Sequence, residues 1–264
     1  MAGTALRAIG TPRRIERQDT LPLGMMMLSP FGLSEQWLLR DGGDRHWGLI
    51  AEALGQSGIA FHDAEGHPVY AAFCATELAL EPSPGGLLGT EVQITSSLHE
   101  LAPNRIGSEH HFRGAHGPLG TLRMISCFLR HDGSGSNRKL LRSSLPGLAD
   151  LPPPTQALEE VHRRARGRAR YARDRCPPTA PILDYAPLPA LDFNAVGLLY
   201  FPTFSKLAEM AQPSQTALAR REIVYLGNLD PGETITAHED AGGLRLSAGT
   251  RAIALVSNAH HRPR

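Results

Sequence analysis

The chain has 264 residues, 41% of them hydrophobic, enough for one large or two small domains with a buried core. Its 27 basic and 26 acidic residues nearly cancel, so the molecule as a whole carries no electrostatic footprint for nucleic acid. Cys74, Cys127 and Cys176 form no CxxC pair, which argues against a disulfide framework or a structural zinc, and no apolar run has the length of a signal or membrane segment, so a cytoplasmic protein is expected.

The first twenty residues are polar, with Arg13 to Gln18 a candidate strand. After the apolar run Leu21 to Pro30, Trp47, Ile50, Ala51 and Leu54 fall at i, i+3, i+4 and i+7, the spacing of a one-sided buried helix. Gly42 and Gly43 interrupt the turns before it, so two short helical pieces are expected, the second capped by Asp44. A turn at Asp63 to Pro68 leads into a strand from Val69 to Leu80, with Val69, Ala71, Phe73 and Ala75 on one face and Tyr70, Ala72, Cys74 and Thr76 on the other. Glu91 to Glu100, Gly107 to Arg113 and Gly120 to Arg130 read as three further strands.

From His131 to Pro181 the composition changes to Ser, Gly, Pro and Arg, with the triple proline Pro152 to Pro154, then seven arginines among the fifteen residues Val161 to Arg175, then a second proline cluster. Such a segment is expected to be a solvated helix or loop joining two units, 1–150 and 182–264, across a linker 151–181. In the second unit Phe204, Leu207, Ala208 and Ala211 repeat the buried-helix spacing, with Pro202 suited to the first turn. Arg220 to Leu226, Thr234 to His238 and Arg251 to Ser257 supply at least three strands. The pattern of helix followed by antiparallel strands therefore occurs twice.

The segment Leu191 to Ala211, LDFNAVGLLYFPTFSKLAEMA, resembles the signature of hot-dog proteins, with Asp192, Gly197, Tyr200 and Glu209 at positions shared with 4-hydroxybenzoyl-CoA-type thioesterases. Together with GLSEQWLLRDGGDRHW (Gly32 to Trp47), HPVYAAF (His67 to Phe73) and the pair Asn137 and Arg138, it is similar to biosynthetic acyltransferase/decarboxylases typified by the leinamycin-pathway enzyme. The resemblance implies an α+β double hot dog, two curled antiparallel sheets each wrapping a central helix. It implies decarboxylation of a (methyl)malonyl-CoA and acyl transfer to an acyl carrier protein, with no cofactor beyond the coenzyme A thioester itself. It also implies a homodimer. A hot-dog thioesterase and a non-catalytic carrier-protein-binding module are the alternatives.

That chemistry needs donors for a thioester oxygen, which backbone amides at a helix N-terminus supply. Gly32, Leu33 and Ser34 stand where the first helix begins, with Met25 to Leu28 and Phe73 as candidate apolar walls. Tyr70 is the residue that the family resemblance places in the site, as a hydrogen-bond donor or as a packed ring between sheet and helix. Ser34 reads as donor or helix cap, His46 as acid/base or packed residue, and Asn194 and Asp192 as site residues or turn formers. Asp192 or Glu35 would serve the thioesterase alternative. His110, His111 and His116 lack carboxylate or cysteine partners at ligand spacing, so no metal is expected. The arginines Arg163 to Arg175 read as a solvated linker, a carrier-protein landing surface or a contact for coenzyme A phosphates.

Overall fold

A computed structural model describes residues 12–83, 85–148, 150–173 and 179–262. The start of the chain, Arg175, Cys176 and the core of the second proline cluster lie outside the described residues. In chain order the strands are β1 (Glu16–Pro22), β2 (Leu28–Ser29), β3 (Gly32–Leu33), β4 (Phe61–His62), β5 (Pro68–Leu80), β6 (Glu91–Ala102), β7 (Arg105–Gly114), β8 (Gly117–His131), β9 (Leu140–Arg142), β10 (Pro181–Tyr185), β11 (Leu218–Tyr225), β12 (Ile235–Asp240), β13 (Gly243–Ala248) and β14 (Arg251–His260). The helices are α1 (Glu35–Ala53), α2 (Gln156–Arg173), α3 (Pro189–Asp192) and α4 (Pro202–Ala211).

Ten of these strands run β1-β6-β7-β8-β5-β11-β14-β13-β12-β10 in one antiparallel sheet, with β4 and β9 paired onto β5 and β8. The order is one pattern used twice. In each half an edge strand precedes the helix, the strand after the helix becomes the inner edge, and three strands fill in between. The halves meet at β5 and β11, where Thr76 lies opposite Ile223 and Ala75 opposite Val224. This is the double hot dog.

Both central helices pack on one face of the sheet because their apolar stripes match it. Phe204, Leu207 and Ala208 of α4 bury against Ile223, Leu246 and Val256, each large side chain contributing about 1.5–3 kcal/mol. Leu49 and Ile50 of α1 bury against Val69, Ala71 and Phe128. Contrary to the two pieces expected, α1 is a single helix through Gly42 and Gly43, and Asp44 lies inside it rather than at a cap. The glycines mark its closest approaches: a Cβ on Gly42 would stand 2.4 Å from Leu122, and one on Gly43 would stand 3.0 Å from the Phe201 ring. Packing distance, which local propensity cannot register, decided this stretch.

The arginine-rich segment also departs from the expected solvated element. It forms α2, whose Leu158, Val161 and Ala165 bury against Ala75, Ile125, Val224 and Leu255 on the other face of the sheet, across the seam between halves. Glu77 on that face is 6% exposed and accepts from Arg123, Arg164 and Arg220, while Glu222 accepts from Arg164 and Arg220. Arg164 thus ties α2 to both halves.

Candidate active site

The N-terminus of α1 opens on a cavity of about 390 Å³ between the two halves. The hairpin of β2 and β3 delivers the chain there, with Leu28 opposite Leu33. Gly32 has φ +120°, and a Cβ on it would meet Ser83 at 2.9 Å, so glycine is required in this turn. Ser34 is the N-cap, its hydroxyl accepting from the Trp37 amide at 3.4 Å and its carbonyl from the Leu38 amide at 3.0 Å. Of the first-turn donors, the amides of Glu35 and Gln36 are then left without an acceptor among the described residues, and both residues line the cavity. Leu33, Leu80, Leu87, Leu119 and Leu218 supply apolar wall, and Phe31 and Met210, both exposed, stand at its rim.

The polar part of the lining comes from α1 and α4 together. Gln36 donates to the Pro202 carbonyl at 3.3 Å and to the Ser205 hydroxyl at 3.2 Å, fixing the two helices against each other. The Glu35 carboxylate lies 3.1 Å from Arg221, a guanidinium 1% exposed that also donates to Glu209 and to the Ser205 carbonyl. Burial pushes the Glu35 carboxyl above its ordinary range, against the opposing pull of Arg221 and the Ser205 hydroxyl. A carboxylate with raised proton affinity beside two open amides is equipped to take a proton from water while the amides hold a developing oxyanion. Arg221, Ser205 and Glu209 did not stand out in the sequence as parts of this network. The signal available was parity, since Arg221 falls on the strand face that carries Ile223 and Tyr225.

The structure brings Gly32, Leu33, Ser34 and Glu35 together and places the other candidates elsewhere. Asp192 is fully buried, with one carboxylate oxygen accepting from Lys206 at 2.5 Å and the other from the Tyr185 hydroxyl at 2.7 Å and the Leu188 amide at 2.9 Å. Burial alone would raise this carboxyl, but those donors hold it below the usual range. It anchors α3 and β10 to α4, and only Lys206 connects it with the cavity lining. Asn194 accepts from the Val196 and Leu198 amides and closes a turn. Tyr70 faces away from α1, since Val69 and Ala71 occupy the face that does; its ring stands edge-on to His131 at 5.5 Å. Leu80 lines the cavity at the far end of the same strand, roughly 30 Å from Tyr70 at strand rise.

His46 is a packed residue, completely buried, with its ring nitrogens 2.8 Å from the hydroxyls of Ser108 and Ser126. Ser108 continues to His110 and His110 to Ser96, a closed polar chain under α1. Burial without a carboxylate partner pushes His46 down to about 3. Of the expected walls, Phe73 packs on Phe201 and His46, and Met25 and Met26 are exposed. Among the described residues, Asp63, Glu65 and His67 alone bring three metal-ligand atoms together; Asp63 there already accepts from the Glu65 and His67 amides and pairs with Arg130.

No protein-family model matches the chain, and no curated protein does. Solved structures share the fold. An acyl-ACP thioesterase from Bacteroides thetaiotaomicron is 10% identical, with 93% of this chain and 98% of that one covered and a TM-score of 0.64. The 12:0-ACP thioesterase from Umbellularia californica is also 10% identical, with 95% of each chain covered and a TM-score of 0.64. The similarity carries the hot-dog fold across both halves and does not reach the acyltransferase/decarboxylase family of the leinamycin type. Among the described residues, no helix is long and apolar enough to cross a membrane.

Proposed function

We propose that the chain hydrolyses acyl thioesters, with Glu35 as general base. The observation that carries this reading is the Glu35 carboxyl, its proton affinity raised, at the first turn of α1 on the wall of the apolar-sided cavity. The thioester carbonyl oxygen accepts from the Glu35 and Gln36 amides. Glu35 takes a proton from a water, whose oxygen attacks the carbonyl carbon. The tetrahedral intermediate collapses with loss of the thiolate, and the proton on Glu35 passes to the sulfur, giving free acid and free thiol. The apolar walls suit the acyl chain, and coenzyme A or an acyl carrier protein is the thiol carrier we infer.

Decarboxylating acyl transfer, the reading first implied by resemblance, relied on Tyr70 near the amides of Gly32 to Ser34, and it needs a carboxylate pocket without a cation, since a salt bridge would stabilise the ground state more than the transition state. Tyr70 lies on the other sheet face, and Lys206 lines the cavity. Hydrolysis is therefore preferred for this site. Incubating the protein with a panel of acyl-CoA and acyl-carrier-protein thioesters, malonyl and methylmalonyl included, separates the two. Free acid with equal free thiol supports hydrolysis; carbon dioxide release with a propionylated carrier overturns it.

A further inference from the structure

On the opposite face of the sheet, beside α2, the described residues line a second cavity of about 310 Å³ that is open to solvent. Its polar lining is Asn104, Arg105, Arg142, His162 and Arg166, brought together from the β6–β7 turn, β9 and α2. No carboxylate lines it. Arg123, Arg138, Arg164, Arg220, Arg221 and Arg251 each hold an acidic partner. Among the described residues no carboxylate pairs with Arg105, Arg142 or Arg166. Glu159, one turn before His162, acts on that ring from outside the lining. The Cys127 thiol faces Arg105, but no carboxylate among the described residues balances the three guanidiniums, and an anion seated between them would relieve their mutual repulsion.

The local backbone fixes this arrangement. Asn104 is in the left-handed region at φ +59°, and its side-chain oxygen accepts from the Phe128 amide at 3.2 Å. A non-glycine residue held there by a tertiary bond sets where Arg105 leaves the turn. The field of the cluster registers on its neighbours. His162 is lowered by burial and then by Arg166 and Arg105. The Cys127 thiol is lowered to about 6 in spite of burial, first by its hydrogen bond with Cys74 and then by Arg105 and Arg142.

We propose that this cavity is a binding site for a phosphate-class dianion, held by Arg105, Arg142 and Arg166 with His162 at its edge. It is not a lobe of the cavity at α1. Leu119 lines that cavity and Phe128 anchors this one, nine residues along β8, about 30 Å at strand rise. The proposal stands whether or not the chain is a hydrolase.

Calorimetric titration with inorganic phosphate and pyrophosphate, against chloride at matched ionic strength and near-neutral pH, tests it. Saturable binding of at least one of the two is expected, with the Cys127 thiolate absorbance titrating at higher pH once the anion offsets the guanidinium field. In R142Q and R166Q, both substitutions at exposed positions, binding should weaken at least about tenfold each, the loss expected for one charge-assisted contact. Heats indistinguishable from chloride, or saturable binding unchanged in the R142Q/R166Q double variant, would overturn the proposal.

Discussion

The buried chain of Ser126, His46, Ser108, His110 and Ser96 makes stability depend on pH in a defined window. His46 falls from an ordinary value of 6.5 to about 3 in the folded protein, so between these values the unfolded chain binds a proton that the native state refuses. A histidine kept neutral by folding costs stability as pH falls, because protonation favours the unfolded state. From pH 7.5 to pH 5 the loss from His46 alone is about 2 kcal/mol, from 1.36 kcal/mol per unit below 6.5. That is a large share of a native stability of about 5–15 kcal/mol. His110 is lowered by burial and by nearby charges, and adds in the same direction. The assay is urea unfolding of the wild type and of His46→Leu across that range. At pH 7.5 the variant should be less stable by about 1–3 kcal/mol, having left the Ser108 and Ser126 hydroxyls without their partner. At pH 5 the gap should have narrowed by about 2 kcal/mol. A gap that stays constant across the window would refute the reasoning, since it would mean that His46 titrates alike folded and unfolded.

Three further outcomes test the account of the fold. Glu77→Ala strips a buried carboxylate from Arg123, Arg164 and Arg220 and should cost about 3 kcal/mol in denaturant unfolding; a loss below the error of the midpoint would show that α2 is held by its apolar face alone. Gly42→Ala should destabilise by about 1–3 kcal/mol despite alanine's better helix propensity, because its Cβ would stand 2.4 Å from Leu122. Asp192→Asn should lower the melting temperature through the lost pairing with Lys206 while thioester hydrolysis stays within a few-fold. Abolished hydrolysis with an unchanged melting temperature would return Asp192 to the chemistry.

Much of the fold was legible because it is written in periodicity. The stripe of Phe204, Leu207 and Ala208 needed no partner to be read, and the alternation along β5 holds as far as Phe73, where a bulge that no local pattern announces turns Ala75 onto the α2 face and Thr76 onto the face of the central helices. β13 escaped notice because it is six residues set between glycines, and β10 because it begins inside a proline cluster. In α2 the arginines obscured the stripe Leu158, Val161 and Ala165, which packs across a seam that only the tertiary fold creates. The site divides the same way. Ser34 and Glu35 are local, since a cap and an acidic first residue announce a helix N-terminus. The pairing of Glu35 with Arg221 joins residues from different halves, and no local pattern encodes it. Tyr70 shows the two kinds of reading in conflict: alternation put it on the face opposite Val69 and Ala71, resemblance drew it into the site, and the structure sides with alternation.

The central claim rests on one carboxylate, and the rate of Glu35→Gln on an acyl thioester that the wild type cleaves tests it most directly. Glutamine keeps the size and the helix start, and Glu209 remains to pair with Arg221, so melting temperature and KM should change little. The account predicts a fall in kcat of about 10²–10⁴-fold, the usual contribution of a general base, and a wild-type rate that declines as pH drops through the raised Glu35 range. A Glu35→Gln protein that hydrolyses at the wild-type rate with the same pH profile would contradict it.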